Sequence, residues 1–236
     1  MAIRLSFHGA ARSVTGSCFR LETDRSQILI DCGLFQGSKS EKELNYRPFP
    51  FQPKDINAVI LSHAHIDHSG LLPKLVKADF RGRIYATPAT ADLANVMLLD
   101  SAHIQETEVE QLNTRTARRR HGRVEPIYRA QDAIACSGRF QPVRYSTWFD
   151  VAPDIRARFW NAGHLLGSAS IEVEVRETDQ DRPRRILFSA DIGPDFKLLQ
   201  PDPEGPHDLD YVICEGTYGA TDRADASEEA RRALLR

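Results

Sequence analysis

One ten-residue run limits what this chain can fold into more than any other stretch: Leu61-Ser62-His63-Ala64-His65-Ile66-Asp67-His68-Ser69-Gly70. Four of its side chains can bind a metal, namely His63, His65, Asp67 and His68. The apolar residues 58–61 predict a buried strand, and residues 71–76 predict an amphipathic helix. The run is therefore predicted to form a strand-to-helix turn, where side chains two positions apart can point the same way. Imidazole and carboxylate ligands together are typical of zinc, iron or manganese sites.

The alternative interpretation of this run is a set of solvated or hydrogen-bonded loop histidines. Three histidines packed this closely after a buried strand would repel one another if they were charged, and nothing would offset that cost. Metal binding is therefore the favoured interpretation.

The whole-chain composition excludes some classes of protein. The chain has 236 residues, of which 41% are hydrophobic, so it can bury a sizeable core as one large domain or as one domain with part of another. Its net charge of −2 means that any nucleic-acid-binding surface must be local. No apolar run approaches the length of a membrane span, and the N-terminal residues lack the apolar region of a signal peptide. We therefore expect no membrane partner and a cytoplasmic location.

The four cysteines are Cys18, Cys32, Cys136 and Cys214, and none is spaced like the ligands of a zinc finger. Each lies in or beside a predicted element. We expect reduced, mostly buried thiols rather than disulfides.

The hydrophobic pattern predicts strands and helices in alternation. Strands are expected at 3–7, 17–21, 27–30, 57–61, 83–86, 142–145, 155–161, 169–176, 184–190 and 209–214. Helices are expected after the metal turn to about residue 77, from 88 toward 118, at 129–137 and in the tail from 224. Residues 38–54 are predicted to be a loop. This order indicates an α/β protein with its sheets inside and its helices outside.

Three predicted strands end in a further histidine or carboxylate: Asp31, His164 and Asp191. Taken alone, Asp31 is equally well a turn residue or a carboxylate that orients a ligand histidine. His164 alone would be a hydrogen-bonded loop histidine, and Asp191 alone a turn residue. Taken together with the metal turn, they are expected to meet at one edge of the sheets and to form one site.

The end of the long predicted helix is the most basic part of the chain. It carries Arg115, Arg118, Arg119, Arg120 and Arg123. Such a run is equally well a solvated helix face or a patch that binds phosphates through paired hydrogen bonds from arginine.

The motifs resemble those of a known family. His63-Ala64-His65-Ile66-Asp67-His68 matches the HxHxDH signature of the metallo-β-lactamase fold, and Asp31, His164 and Asp191 fall at the first, third and fourth motifs. Three further runs resemble the β-CASP branch, whose members process nucleic acids. They are Leu34-Phe35-Gln36-Gly37, Gly163-His164-Leu165-Leu166-Gly167-Ser168-Ala169 and Glu215-Gly216-Thr217-Tyr218-Gly219.

The resemblance implies a four-layered αββα sandwich and a site with two Zn²⁺ ions, for which Mn²⁺ or Fe²⁺ are alternatives. It assigns His63, His65 and His164 to one zinc and Asp67 and His68 to the other, with Asp191 bridging both. Asp31 and Glu215 would be carboxylates that line the site or orient its ligands.

The resemblance also implies a function, which is hydrolysis of RNA phosphodiester bonds by a metal-activated water. Asp191 would help to hold that water, and Asp67 would accept its proton. The alternatives are a small-molecule hydrolase of thioesters, lactones or similar acyl substrates, and a non-catalytic RNA-binding scaffold. Whether the chain forms a homo-oligomer is left open.

The branch places a cap domain after the Glu215 motif and then two more histidines, one of them a metal ligand. No histidine follows His207 in this chain. We therefore expect residues 1–215 to be the N-terminal portion of the metallo-β-lactamase domain and residues 216–236 to be the start of the cap.

Overall fold

Two β-sheets packed face to face form the centre of the molecule. The structure is a computed structural model that describes residues 3–116, 123–177, 182–194 and 201–220. The strands of the first sheet are β1 (Arg4–Phe7), β2 (Phe19–Glu22), β3 (Gln27–Ile30), β4 (Ala58–Ile60), β5 (Arg83–Ala86) and β6 (Phe140–Pro142). Those of the second are β7 (Phe149–Ala152), β8 (Ile155–Asn161), β9 (Ala169–Val175), β10 (Arg184–Phe188) and β11 (Tyr211–Ile213). The first sheet follows chain order, and the second has the order β11-β10-β9-β8-β7.

The direction of the strands decides which side chains meet at the edge of the sheets. Strands β3, β4, β5 and β6 run parallel, so the residues after Ile30 and after Ile60 emerge at the same edge. Strands β7 to β10 are antiparallel neighbours, whereas β11 runs parallel to β10. The ends of β10 and β11 therefore also lie together.

The two faces of β3 show why the sheets are layered. Ile28 and Ile30 point into the core between the sheets, where they meet residues such as Phe159 and Phe188. Leu29, between them, points to the opposite face and joins a separate core with the helices. Side chains alternate along a strand, so a strand that is apolar throughout must be covered on both faces.

The helices are α1 (Lys39–Leu44), α2 (Ile66–Ser69), α3 (Leu72–Lys77), α4 (Pro88–Thr116) and α5 (Ala130–Ser137). Helices α2 to α5 contribute residues to the core on the helix-facing side of the first sheet, whereas α1 buries none of its residues. A layer of helices and two sheets agree with the predicted α/β sandwich. A second helix layer is not seen among the residues that the structure describes. Nor does any helix in those ranges combine the length and apolar character needed to cross a membrane.

Some predicted bounds were wrong. The loop expected at 38–54 contains α1, which begins with a capping box in which Ser38 and Glu41 bond each other's backbone N–H. The strand expected at 142–145 ends at Pro142, because the chain then crosses to the second sheet, where Ser146 N donates to Phe159 O at 2.9 Å. Strand β7 lies outside the predicted strands. The predicted tail helix from 224 lies outside the described residues.

Candidate metal centre

The metal turn has the geometry that the sequence predicts. Strand β4 ends at Ile60, and α2 begins at Ile66 with His65 at the position just before the helix. The ring of His63 is fully buried, and His65 is partly exposed. The turn therefore directs both rings toward the edge at which β3 also ends.

Four ligand atoms converge there, from His63, His65, His164 and Asp191, and all lie within 4.8 Å of one another. Nδ1 of His65 is 3.1 Å from Nε2 of His63 and 3.2 Å from Nε2 of His164. An Asp191 carboxylate oxygen lies 3.7 Å and 3.6 Å from Nε2 of His63 and His164. Ligands about 2.0–2.1 Å from a tetrahedral zinc are about 3.3 Å apart. The number, chemistry and spacing of these atoms thus fit one metal ion.

Asp31 is a buried carboxylate with a full set of partners, and its backbone has a φ of 60°. One oxygen accepts from Ser62 N at 2.8 Å; the other accepts from the hydroxyls of Ser62 and Ser17 at 2.9 and 3.3 Å. That second oxygen also lies 2.7 Å from Nδ1 of His68. These contacts offset the cost of burying the charge. They favour the interpretation of Asp31 as an orienting carboxylate over that of a turn residue.

The Ser62 hydroxyl links Asp31 to His63 by contacting both side chains. The Ser62 hydroxyl donates to Asp31, because a carboxylate can only accept, and the same oxygen lies 3.0 Å from Nδ1 of His63. The hydroxyl oxygen can therefore accept the Nδ1 proton of a neutral His63. Burial, and next the positive charge of His68, lower the pKa of His63 to about 2. The ring is thus neutral and directs an unprotonated Nε2 at the cluster.

A second group of candidate ligands adjoins the first. Nε2 of His68 lies 3.3 Å from one oxygen of Asp191 and 3.9 Å from an oxygen of Asp67. Burial alone would lower the pKa of His68, but the carboxylates of Asp31 and Asp191 outweigh it and raise that pKa to about 10. Burial alone would raise the pKa of Asp191, yet the hydrogen bond and charge of His68 bring it to about 2. Without a metal, a protonated His68 bridges two carboxylates.

A pocket of about 430 Å³ opens beside His68 and Asp191. Its lining includes Glu215, whose carboxylate accepts from Ile192 N at 2.7 Å. Glu215 thereby fixes the backbone just after Asp191. This hydrogen bond can hold the loop that carries the candidate ligand Asp191.

Of the predicted phosphate-binding arginines, the structure describes only Arg115 and Arg123, and neither lines this pocket. Arg118, Arg119 and Arg120 lie outside the described residues, and the exposed Arg115 and Arg123 flank that gap. Sequence reasoning had missed Ser62 and Ser17. Their hydroxyls are indistinguishable from ordinary serines until the fold places them against Asp31.

Several known proteins are similar in sequence to this chain. The family described as the metallo-beta-lactamase superfamily matches residues 12–234. Ribonuclease TTHA0252 of Thermus thermophilus is 35% identical over 98% of this chain and 48% of its own length. Transcription termination factor FttA of Methanocaldococcus jannaschii is 33% identical over 99% of this chain and 34% of its own length. The RNase J-like protein of the same organism is 30% identical over 92% and 43%.

The chain thus spans about half the length, or less, of these curated relatives. Among solved structures, a beta-lactamase from Chitinophaga pinensis matches 79% of this chain and 59% of its own, with 18% identity and a TM-score of 0.44. The family match covers nearly the whole sequence. The chain belongs to the metallo-beta-lactamase superfamily.

Proposed function

We propose that this chain is the metal-binding part of a ribonuclease that hydrolyses RNA phosphodiester bonds at a dinuclear zinc site. One observation carries the proposal most directly. Ligand atoms from the ends of β4, β8 and β10 lie within 4.8 Å of one another in a partly buried cluster. Structural roles do not account for three imidazoles and a carboxylate at such spacing, whereas a metal ion does. The names of the relatives support RNA as the substrate.

The proposed ligand sets are those that the family resemblance implies. His63, His65 and His164 would hold one ion, Asp67 and His68 would hold the other, and Asp191 would contact both. Manganese or iron could take the place of zinc, since both accept imidazole and carboxylate ligands. A pair of such ions, when bound, polarises the phosphodiester and favours ionisation of the attacking water.

The side chains of the protein divide the remaining work. The Asp31 carboxylate contacts Nδ1 of His68. Nε2 of the same ring is therefore directed at Asp67 and Asp191. With a pKa near 2, Asp191 stays ionised at neutral pH and is a poor proton acceptor, so its role is to hold the metals. Asp67 remains the proposed acceptor of the proton from water.

RNA binding is proposed for the basic segment with Arg115, Arg118, Arg119, Arg120 and Arg123. Contacts of this kind are electrostatic, so binding would weaken steeply as salt rises. We also propose that residues 1–215 belong to the metallo-β-lactamase domain and that a cap domain begins at residue 216. A cytoplasmic location and a homo-oligomer are further proposals. The free Cys18, Cys32, Cys136 and Cys214 support the cytoplasmic location.

The test is cleavage of an end-labelled RNA by the zinc-loaded protein. Asp191→Ala should abolish cleavage and lower the zinc content, whereas Asp92→Ala, an exposed aspartate on α4, should leave both unchanged. Cleavage by Asp191→Ala at the normal rate would contradict the proposed site. Turnover of a thioester or lactone but not of RNA would support the acyl-hydrolase alternative. Tight RNA binding without turnover would support the scaffold.

A further inference from the structure

The loop that carries His164 is fastened to the start of α4 by two buried hydroxyls. The carbonyl oxygen of Gly167 accepts from Oγ1 of Thr87 at 2.7 Å and from Oγ1 of Thr90 at 2.8 Å. The two threonines are almost completely buried, being 1% and 0% exposed. The Gly167 carbonyl therefore accepts two hydrogen bonds from the start of α4. This helix packs on the first sheet, whereas the His164 loop follows a strand of the second.

This fastening joins the two halves of the candidate metal centre. His63 and His65 follow a strand of the first sheet, whereas His164 follows a strand of the second. Near the threonines, Ala169 N donates to Ser62 O at 2.9 Å, and the Tyr145 hydroxyl donates to Ser168 O at 2.9 Å. Hydrogen bonds at this seam therefore help to fix the distance between the two sets of candidate ligands.

Inside the loop, hydrogen bonds to the Ser168 side chain hold the backbone at His164. The hydroxyl oxygen of Ser168 accepts from His164 N at 3.0 Å and from Leu165 N at 3.1 Å. Gly167 itself has a φ of +88°, and a Cβ there would lie 2.6 Å from Thr90 N. The loop can approach α4 this closely only because residue 167 is glycine.

The two threonines differ in what else they do. Oγ1 of Thr87 also accepts from Thr90 N at 3.3 Å, which caps the start of α4. A threonine in the first turn of a helix ordinarily bonds locally. The hydroxyl of Thr90 instead donates across to Gly167 O. Thr90 is therefore the cleaner residue to test.

We propose that Thr87 and Thr90 are positioning residues, which hold the His164 loop against α4 so that three imidazoles are spaced for a metal before the ion arrives. The inference rests on the metal site of the proposed function. Loss of the Thr90 hydroxyl would let the His164 loop move relative to His63 and His65. Metal affinity would fall because part of the binding energy would be spent on ordering the loop.

The experiment is a titration of the metal-free chain with Co²⁺, followed by its visible absorption spectrum and by competition with a chelator. Thr90→Val removes the hydroxyl at nearly constant volume, and Thr90→Ser retains it. Thr107→Val is the matched control, because it removes an exposed threonine-to-carbonyl bond elsewhere on α4. Thermal melts of the metal-free variants separate folding from metal binding.

We expect Thr90→Val to weaken Co²⁺ binding by about tenfold and to alter the spectrum of the bound ion. Thr90→Ser should restore both, and Thr107→Val should change neither. Should Thr90→Val fail to fold, Tyr145→Phe removes the neighbouring bond to Ser168 and should weaken binding in the same direction. Unchanged affinity and spectrum in a folded Thr90→Val, or in Tyr145→Phe where that variant substitutes for it, would overturn the inference. Co²⁺ binding by the wild type would leave the proposed function standing even if the variants bind equally well, whereas absence of Co²⁺ binding in the wild type would overturn both.

Discussion

Asp31 shows how much one buried side chain can organise. Its carboxylate accepts from the backbone and hydroxyl of Ser62 and contacts His68, while Ser62 in turn contacts His63. One carboxylate therefore sets the ring orientation of a candidate ligand in each of the two proposed metal sites. Such outer partners orient metal ligands and fix their tautomers.

Ser62 gives a direct test of this relay. In Ser62→Ala, His63 loses the acceptor for its Nδ1 proton, so the Nε2–H tautomer becomes more populated and zinc affinity should fall by about tenfold. The ¹⁵N shifts of the His63 ring would report the tautomer. Ser62→Thr keeps the hydroxyl and should retain the wild-type tautomer and affinity. An alanine variant with the original tautomer would show that Ser62 does not set it.

The pH dependence of the metal-free protein follows from His63 and His68. His68 has its pKa raised to about 10, so its stabilising charge is fully present below about pH 6.5 and is lost as pH rises toward 10. His63 has its pKa lowered to about 2, so stability is lost as pH falls below about 6.5. The free energy of unfolding should therefore peak near pH 6.5 and fall by up to about 1.4 kcal/mol per pH unit on each side.

Urea unfolding of the chelator-treated chain across this range would measure that profile. His68→Asn should flatten the alkaline limb and also shorten the acid limb, because the charge of His68 helps to lower the pKa of His63. His63→Asn should flatten the acid limb. A wild-type profile that is flat from pH 5 to pH 9 would contradict the assigned charge states.

Elements bring the ligands together because strand ends share an edge. Strands β3 and β4 are parallel, which places Asp31 beside Ser62 and His63. The loop after Asp31 then passes so close to α2 that Cys32 N donates to His68 O at 2.8 Å and Leu34 N donates to Ile66 O at 2.9 Å. This crossing ties the end of β3 to the helix that carries Asp67 and His68.

The position of Gly33 in this crossing has no room for a larger side chain. A Cβ at this position would lie 1.6 Å from the backbone oxygen of Asp67, a backbone atom that cannot move without displacing α2. Gly33→Ala should therefore cost about 3 kcal/mol or more of unfolding free energy and should also weaken zinc binding. Gly205→Ala is the control, since nothing lies within 4 Å of its Cβ. Equal stability of the two variants in urea would contradict the close approach.

The sequence predicted most strands and helices because their patterns are local. Local hydrophobic patterns of the expected kind are present in the apolar strand 58–61, in the helix beginning at Pro88 and in the strands around 155–175. The bounds of β6 and β7 could not be predicted, because they depend on where the chain leaves one sheet for the other. Helix α1 could have been predicted from the Ser38 and Glu41 capping box.

Much of the candidate site could be predicted, but its supports could not. Histidines and carboxylates at strand ends are visible in the sequence and point to one edge. The serine and threonine hydroxyls that hold them, such as those of Ser62 and Thr90, act across 31 and 77 residues of sequence. Only the folded chain brings such partners together.

In the molecule as a whole, the site lies at a seam between two sheets, and each sheet supplies part of the ligand set. Metal binding should therefore couple to stability, because an ion that binds only the folded state stabilises it. Removal of zinc should lower the unfolding free energy by about 2.7 kcal/mol relative to zinc at one hundred times its Kd. Calorimetric melts with and without zinc would measure the difference. His164→Ala should abolish most of it, whereas the exposed His103→Ala should not.

If residues from both sheets bind metal together, anomalous diffraction at the zinc edge from crystals grown with zinc should reveal the ions. We expect a peak about 2.0–2.1 Å from ring nitrogens of His63, His65 and His164. A second peak is expected about 3.5–4 Å away, between Asp67, His68 and Asp191. Zinc bound elsewhere, or no peak among the three imidazoles, would show that these residues do not form a metal site.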